Sequence, residues 1–169
     1  MDDPGAGVKL TAAVARERFR SARVARLATV GVNGAPHLVP VTFAIIETNP
    51  AETNAADTAP AEPDVAGLAR TDVIVFAVDH KPKSTTALRR LDNIAANPRV
   101  AFLVDQYDDD WDQLWWSRAD AVAAVIDGDT RLRAVAALRA KYPQYAVRPP
   151  TGVVVGCTVD GWSGWQARS

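Results

Sequence analysis

DHKPKSTTALRRLDNIAANPRVAFLVDQYDDDWDQLWWSR, residues 79–118, carries the most distinctive chemistry of the chain. Lys81 and Lys83 bracket Pro82 and are followed at once by the hydroxyls of Ser84, Thr85 and Thr86. A helical pattern comes next, with Leu88, Leu91, Ile94 and Ala95 on one face. Ser84 or Thr85 is a natural N-cap, so the lysines fall just before the first turn. A helix N-terminus already carries partial positive charge and free N–H groups, and cations there are unfavourable. Lysines at that place are better accounted for if an anion lies between them. The same spacing also serves a solvated loop whose lysines turn away from the helix, and the residues alone leave both readings open.

The second half of the stretch adds aromatic surface. Arg99 to Val104 reads as a buried strand, and the acidic turn Asp108-Asp109-Asp110 leads into Trp111, Trp115 and Trp116. If Leu114 to Arg118 is extended, Trp116 and Arg118 share one face while Trp115 and Ser117 share the other. One indole can then fill a core while its neighbour covers a flat ligand or a partner subunit. Packing of both is the commoner fate of tryptophan.

Bulk properties narrow the function classes. The 169 residues read as a single domain, 1–169, interrupted by a flexible insertion at 47–71. That insertion, ETNPAETNAADTAPAEPDVAGLART, is rich in Ala, Pro, Thr and acids and has little to bury. A net charge of −1 argues against a nucleic-acid binder that works by neutralising phosphates. No apolar run is long enough to span a bilayer, and the acidic MDDPGAG start is unlike a signal peptide, so no membrane partner is expected. One cysteine, Cys157, fits a reducing cytoplasm, and the scattered histidines give no zinc-like spacing.

Along the chain, Thr11 to Arg20 reads as a helix capped by Thr11, with Phe19, helped by Val14 and Ala15, as its core contact and its charges mostly facing solvent. Val24 to Val30 is extended, and Asn33-Gly34 is a hairpin signal because both residues tolerate positive φ. The arm HLVPVTFAII follows, with Pro40 removing a ladder donor and so marking an edge, a bulge or a close ligand approach. His37 reads as a turn-flanking surface residue. Asp72 to Asp79 is a strand apolar enough to be covered on both sides, and His80 follows it beside the lysines. Ala119 to Ile126 is a strand, Asp127-Gly128 a turn, and Asp129 the cap of a helix with Leu132, Val135 and Leu138 on one face. Pro143 stops that helix within YPQY, and Gly152 to Val159 is the last strand. Trp162 and Trp165 are expected to dock, within the chain or across a dimer interface.

No GxSxG elbow, GxxxxGK loop or HExxH motif occurs, and no two acids are paired by their spacing. Cys157, in an apolar strand, is expected to pack rather than attack. An anion site and aromatic cover without a catalytic dyad suit a cofactor that carries its own reactivity, which the protein binds, orients and shields from water.

The pieces DHKPK, DWDQLWW, WWSRAD and YPQY, with VARLATVGVNGAPHLVPVTFA near the start, resemble the pyridoxamine 5′-phosphate oxidase-like split β-barrel superfamily. Within it they are similar to the actinobacterial group of deazaflavin (coenzyme F-420)-dependent enzymes, from about residue 19 to 165. The resemblance implies a mainly β fold with flanking helices, a split β-barrel of the FMN-binding type, assembled as a homodimer with the cofactor between the barrels. It implies that Lys83 binds the cofactor phosphate with Lys81 and Ser84 beside it. It also implies that the backbone of Val39, Pro40 and Val41 faces the ring, that Ala77 and Val78 lie near the ribityl chain and phosphate, and that Trp116 and Arg118 reach toward the cofactor, often from the other subunit. Arg89 and Arg90 could meet a polyglutamate tail or be ordinary exposed helix residues. The arginine of the oxidase pattern RxVLLK is missing, Val39 standing in its place, and Ala121 stands where relatives have glycine after RAD. The expectation is an oxidoreductase that passes hydride from reduced F-420 to a small conjugated acceptor. Its alternatives are an FMN-bound oxidoreductase of the same fold and a non-enzymatic flavin- or haem-type ligand carrier.

Overall fold

A computed structural model describes residues 7–48, 71–78 and 85–168, with side chains from Arg89 onward in the last segment. The described strands are β1 (Val8–Lys9), β2 (Ala25–Val30), β3 (Pro36–Val41), β4 (Ala44–Thr48), β5 (Thr71–Ala77), β6 (Arg99–Gln106), β7 (Trp115–Val125) and β8 (Val154–Gln166). The helices are α1 (Ala12–Ser21), α2 (Thr85–Ala96), α3 (Gly128–Lys141) and the short α4 (Pro143–Val147). One antiparallel sheet runs in the order β3-β2-β6-β7-β8-β5-β4, with β1 added against β8. Its two end strands, β3 and β4, are consecutive in sequence and separated only by Thr42 and Phe43. The sheet therefore wraps round to a seam at those two residues.

The seam corrects the expectation of one continuous arm from His37 to Ile46. Asn33-Gly34 turns β2 into β3, Gly34 taking the positive φ (77°) that the turn demands. After Val41 the chain leaves β2 and restarts as β4 against β5. Pro40 lies opposite Arg26 on a strand whose other edge pairs with no described strand, a place that tolerates a missing N–H. The insertion expected at 47–71 is shorter at both ends, because Glu47 and Thr48 pair with Asp72 and Thr71 in the β4–β5 ladder. The rest of it lies outside the described residues.

Alternation along each strand sorts two cores. Ile74 and Phe76 face the barrel interior with Leu27, Phe43, Phe102 and Cys157, while Val73 and Val75 face outward under α3 with Ala134 and Leu138. β5 is thus covered on both sides, as its apolar run requires. Helix α1 drives Phe19 into the interior, where its ring lies 4.8 Å from Phe43 and 5.0 Å from Trp162. Thr11 caps it, accepting from the Val14 N–H at 3.3 Å, but Val14 itself is exposed and contributes nothing to the core. Nor are the helix charges all solvated. Arg16 donates two bonds to Asp72 (2.6 and 2.7 Å) and one to Glu47 (2.9 Å), tying α1 to the base of the β4–β5 hairpin. Trp162 adds an indole N–H to the same Asp72 at 3.1 Å.

Further boundaries differ from the sequence reading. Trp115 to Val125 is one strand, and β8 continues through Trp162 and Trp165 to Gln166, so both tryptophans belong to the sheet. The β7–β8 ladder slips between Asp120 and Ala121. Gly164 is required where it stands: a Cβ there would lie 2.9 Å from both Leu10 and the Trp116 carbonyl. Asp127, not Asp129, is the residue before α3, and Leu132 is exposed while Ala134 and Leu138 are buried. On α2, Asn93 is buried beside Ile94, and Ala95 is exposed. Cys157 is fully buried, and burial pushes its thiol well above the ordinary range. Among the described residues no helix is long and apolar enough to cross a membrane, and no cluster of His, Cys, Asp or Glu could hold a metal.

Candidate functional site

Helix α3 covers the outer face of β4, β5 and β8. Among the described residues no helix covers the outer face of β2, β6 and β7 in the same way, and there the residues build a groove. Arg26 and Ala28 point outward from β2, Ala101, Leu103 and Asp105 from β6, and Trp116 and Arg118 from β7. Registry aligns Arg26 with Leu103 and Leu103 with Arg118, and in the next row Leu38 with Ala28 and Ala28 with Ala101. Two alanines at the centre, walled by Leu38, Leu103, Tyr107 and Trp116, leave a depression of about 610 Å³. That volume lies within the usual range of small-molecule sites. Each guanidinium at its rim has a carboxylate partner: Arg26 pairs with Asp105, and Arg118 with Asp120 at 2.5 Å. The groove is therefore close to neutral, with an apolar floor that suits the face of a flat conjugated ring.

A second constellation lies at the barrel mouth. The buried Asn93 of α2 donates to Thr29 of β2 at 3.0 Å, which fixes the helix against the sheet. His37 stands across the ladder from Thr29, its Nδ1 at 3.5 Å from the Thr29 hydroxyl. It is half-buried rather than a surface residue. Burial, followed by the charges of Arg89 and Arg90, holds its pKa below the usual imidazole value. Arg90 is half-buried with its guanidinium 5.8 Å from the Phe76 ring centre. Its Nε is buried and has no hydrogen-bond partner among the described residues, and burial lowers its pKa. A buried guanidinium N–H without a partner is costly, and a ligand acceptor would offset that cost.

The residues singled out in the sequence fall in several places. Trp116 and Arg118 share the outward face of β7 and line the groove, while Ser117 is fully buried and Trp115 packs against the core. Pro40 is exposed on the same face of β3 as Leu38, whereas Val39 and Val41 turn into the barrel. Ala77 ends β5 half-buried, and Val78 is buried with its N–H bonded to the Val153 carbonyl at 2.8 Å. The structure brings Trp116 and Arg118 together; Ala77 and Val78 lie at the end of β5, outside the groove lining. Lys81, Lys83, Ser84 and His80 lie outside the described residues. Sequence reasoning missed Arg26, Leu38 and Tyr107, although the alternation of ARLATV already assigns Arg26 and Ala28 to one face. It also left Arg90 undecided, because its burial depends on Phe76 in a different strand.

No protein-family model matches the sequence, and neither does any curated protein. Solved structures do share its architecture. An FAD-binding protein from Mesorhizobium loti is 16% identical with a TM-score of 0.60, over 98% of this chain and 99% of its own. A candidate pyridoxamine 5′-phosphate oxidase from Corynebacterium glutamicum is 15% identical with a TM-score of 0.56, over 97% and 100%. A heme-binding protein from Mycobacterium smegmatis is 19% identical with a TM-score of 0.59, over 95% of this chain and 56% of its own. At such identities the likeness is one of fold. The chain has the split-barrel fold that FAD-binding, pyridoxamine 5′-phosphate oxidase-like and heme-binding proteins share.

Proposed function

We propose that this protein is a homodimeric oxidoreductase that binds reduced coenzyme F-420 and passes hydride to a small, flat, conjugated acceptor. The observation that carries the reading is the open groove beside Trp116 and Arg118, whose apolar floor matches the ring of a flavin-type cofactor in size and polarity. Arg90, whose buried Nε has no hydrogen-bond partner among the described residues, offers a cation suited to the cofactor phosphate, and the sequence assigns Lys81, Lys83 and Ser84 to the same phosphate. Val39, Pro40 and Val41, with Ala77 and Val78, would flank the cofactor from one protomer, and Trp116 and Arg118 from the partner.

When bound, the reduced deazaflavin supplies the hydride. The chain's own residues then have three tasks. Trp116 and Leu38 cover the ring and exclude water, Arg90 fixes the phosphate end, and the two carboxylate-paired arginines keep the groove neutral. No side chain needs to move a proton for the ring to be held, which agrees with the lack of a catalytic dyad. The likeness to FAD-binding and heme-binding proteins supports a ligand of this shape and leaves FMN as the second reading.

Titration of the cofactor-free protein with F-420 and, separately, with FMN, followed by tryptophan quenching, tests the reading. Tighter binding of F-420, with turnover against quinone, nitro or enone acceptors, is the expected result. Preference for FMN would move the protein to the flavin branch, and tight binding without turnover would make it a carrier. Arg90→Gln should weaken F-420 binding by about tenfold or more, since a charge-assisted phosphate contact contributes about 1.5–3 kcal/mol. Unchanged affinity would remove Arg90 from the site.

A further inference from the structure

We propose that Arg20, Arg23 and Lys141 form a second anion site, for a phosphate dianion, where the C-terminal ends of α1 and α3 meet the seam. Lys141 ends α3 with its ammonium 3.8 Å from the centre of the Phe43 ring, bonded to the Arg20 carbonyl at 3.1 Å. Arg23 lies 4.8 Å over the Tyr142 ring and donates to the Lys141 carbonyl at 2.8 Å. Arg20 is exposed in the last turn of α1. Two of the three cations are thus held on aromatic platforms, so binding an anion would freeze few additional rotamers.

Charge magnitudes favour a ligand over simple helix capping. Basic residues at helix C-termini offset the dipole, but each helix end carries only about −0.5, and the last turns of α1 and α3 hold Arg18, Arg20, Arg139 and Lys141, with Arg23 just beyond α1. The cations exceed what the two helix ends need, and a phosphate group, carrying about −1.5 to −2 near neutral pH, would offset part of the excess. Among the described residues no carboxylate pairs with any of the three. Burial, then the charges of Arg23 and Arg20, push the Lys141 ammonium down to about 8. Lys141 and Arg23 each spend one donor on capping, and among the described residues the Arg20 fork and the other Arg23 donors have no carboxylate partner. This site is separate from the groove and from Arg90, and does not rest on the cofactor reading.

The test follows the Lys141 side chain itself, in lysine-labelled full-length protein by NMR, during titration with inorganic phosphate at pH 7.5 and constant ionic strength. Saturable movement of its resonances, with its pKa raised by phosphate, is expected. Arg20→Gln, an exposed change that leaves the platforms intact, should weaken the effect about tenfold. Arg90→Gln should leave it unchanged. A Lys141 signal that ignores phosphate, or that responds identically in Arg20→Gln, would overturn the site.

Discussion

Tyr142 holds the seam with one hydroxyl. It is buried, accepts the Phe43 N–H at 3.0 Å, and has two carbonyls, Phe43 and Arg23, each at 2.8 Å for its single proton. The residue thus satisfies backbone groups that the break between β3 and β4 takes out of the ladder. Tyr142→Phe keeps the ring and strands the Phe43 N–H, so a loss of about 1–3 kcal/mol is expected in urea unfolding. A midpoint equal to wild type would show that water replaces the hydroxyl. Its neighbour Lys141 gives a pH signature. With its folded pKa lowered to about 8 from 10.5, the unfolded chain binds more protons between those values. Stability is then expected to rise with pH from about 8 toward 10. Below that window both states are protonated and the full penalty of burial persists. In phosphate-free buffer, Lys141→Met should flatten that rise; an unaltered slope would assign it to another group.

At the scale of elements, β7 shows what a sequence can and cannot disclose. The period-two rule correctly divided Trp116 and Arg118 from Trp115 and Ser117, because side-chain direction in a strand is a local property. The same locality made the Asn33-Gly34 turn, the Thr11 cap and the doubly covered β5 legible. Three things were not legible: that β3 and β4 separate at Thr42-Phe43, that β8 runs on through Trp165, and that Arg90 buries its Nε against Phe76. Each depends on a partner far along the chain, and no local pattern encodes that partner. The division across β7 makes a paired prediction. Trp115→Ala should lower stability, since the indole packs on the core and bonds Gln106 at 3.0 Å, with large-to-small core changes costing about 3–5 kcal/mol at full burial and less here. Trp116→Ala should leave the unfolding midpoint close to wild type while weakening F-420 quenching titrations. Reversal of the two effects would mean that the groove is on the wrong face.

For the whole molecule, the sheet is covered unequally. Helix α3 shields β4 and β5, yet the face of β2, β3, β6 and β7 presents Leu38 at 63% exposure and Tyr107 at 76%, with Trp116 between the guanidiniums. Exposed apolar surface of this kind, rimmed by charges of both signs, marks an interaction face. Arg26 with Asp105 and Arg118 with Asp120 put charges of both signs on this face, which a two-fold partner could match across the axis. A second copy seated there would roof the groove and bring its own barrel mouth toward Trp116. The protein is therefore expected to run in light scattering at twice the 18.1 kDa of one chain. Leu38→Glu places an unpaired charge at the centre of that face and should give a monomer that keeps its unfolding midpoint. Because Leu38 is also proposed to cover the ring, the need for both copies is read on the wild-type protein, whose F-420 affinity should fall on dilution in step with its dimerisation. A monomer that binds F-420 as tightly as wild type would confine the cofactor to one barrel, and a variant that stays dimeric would put the interface on another face.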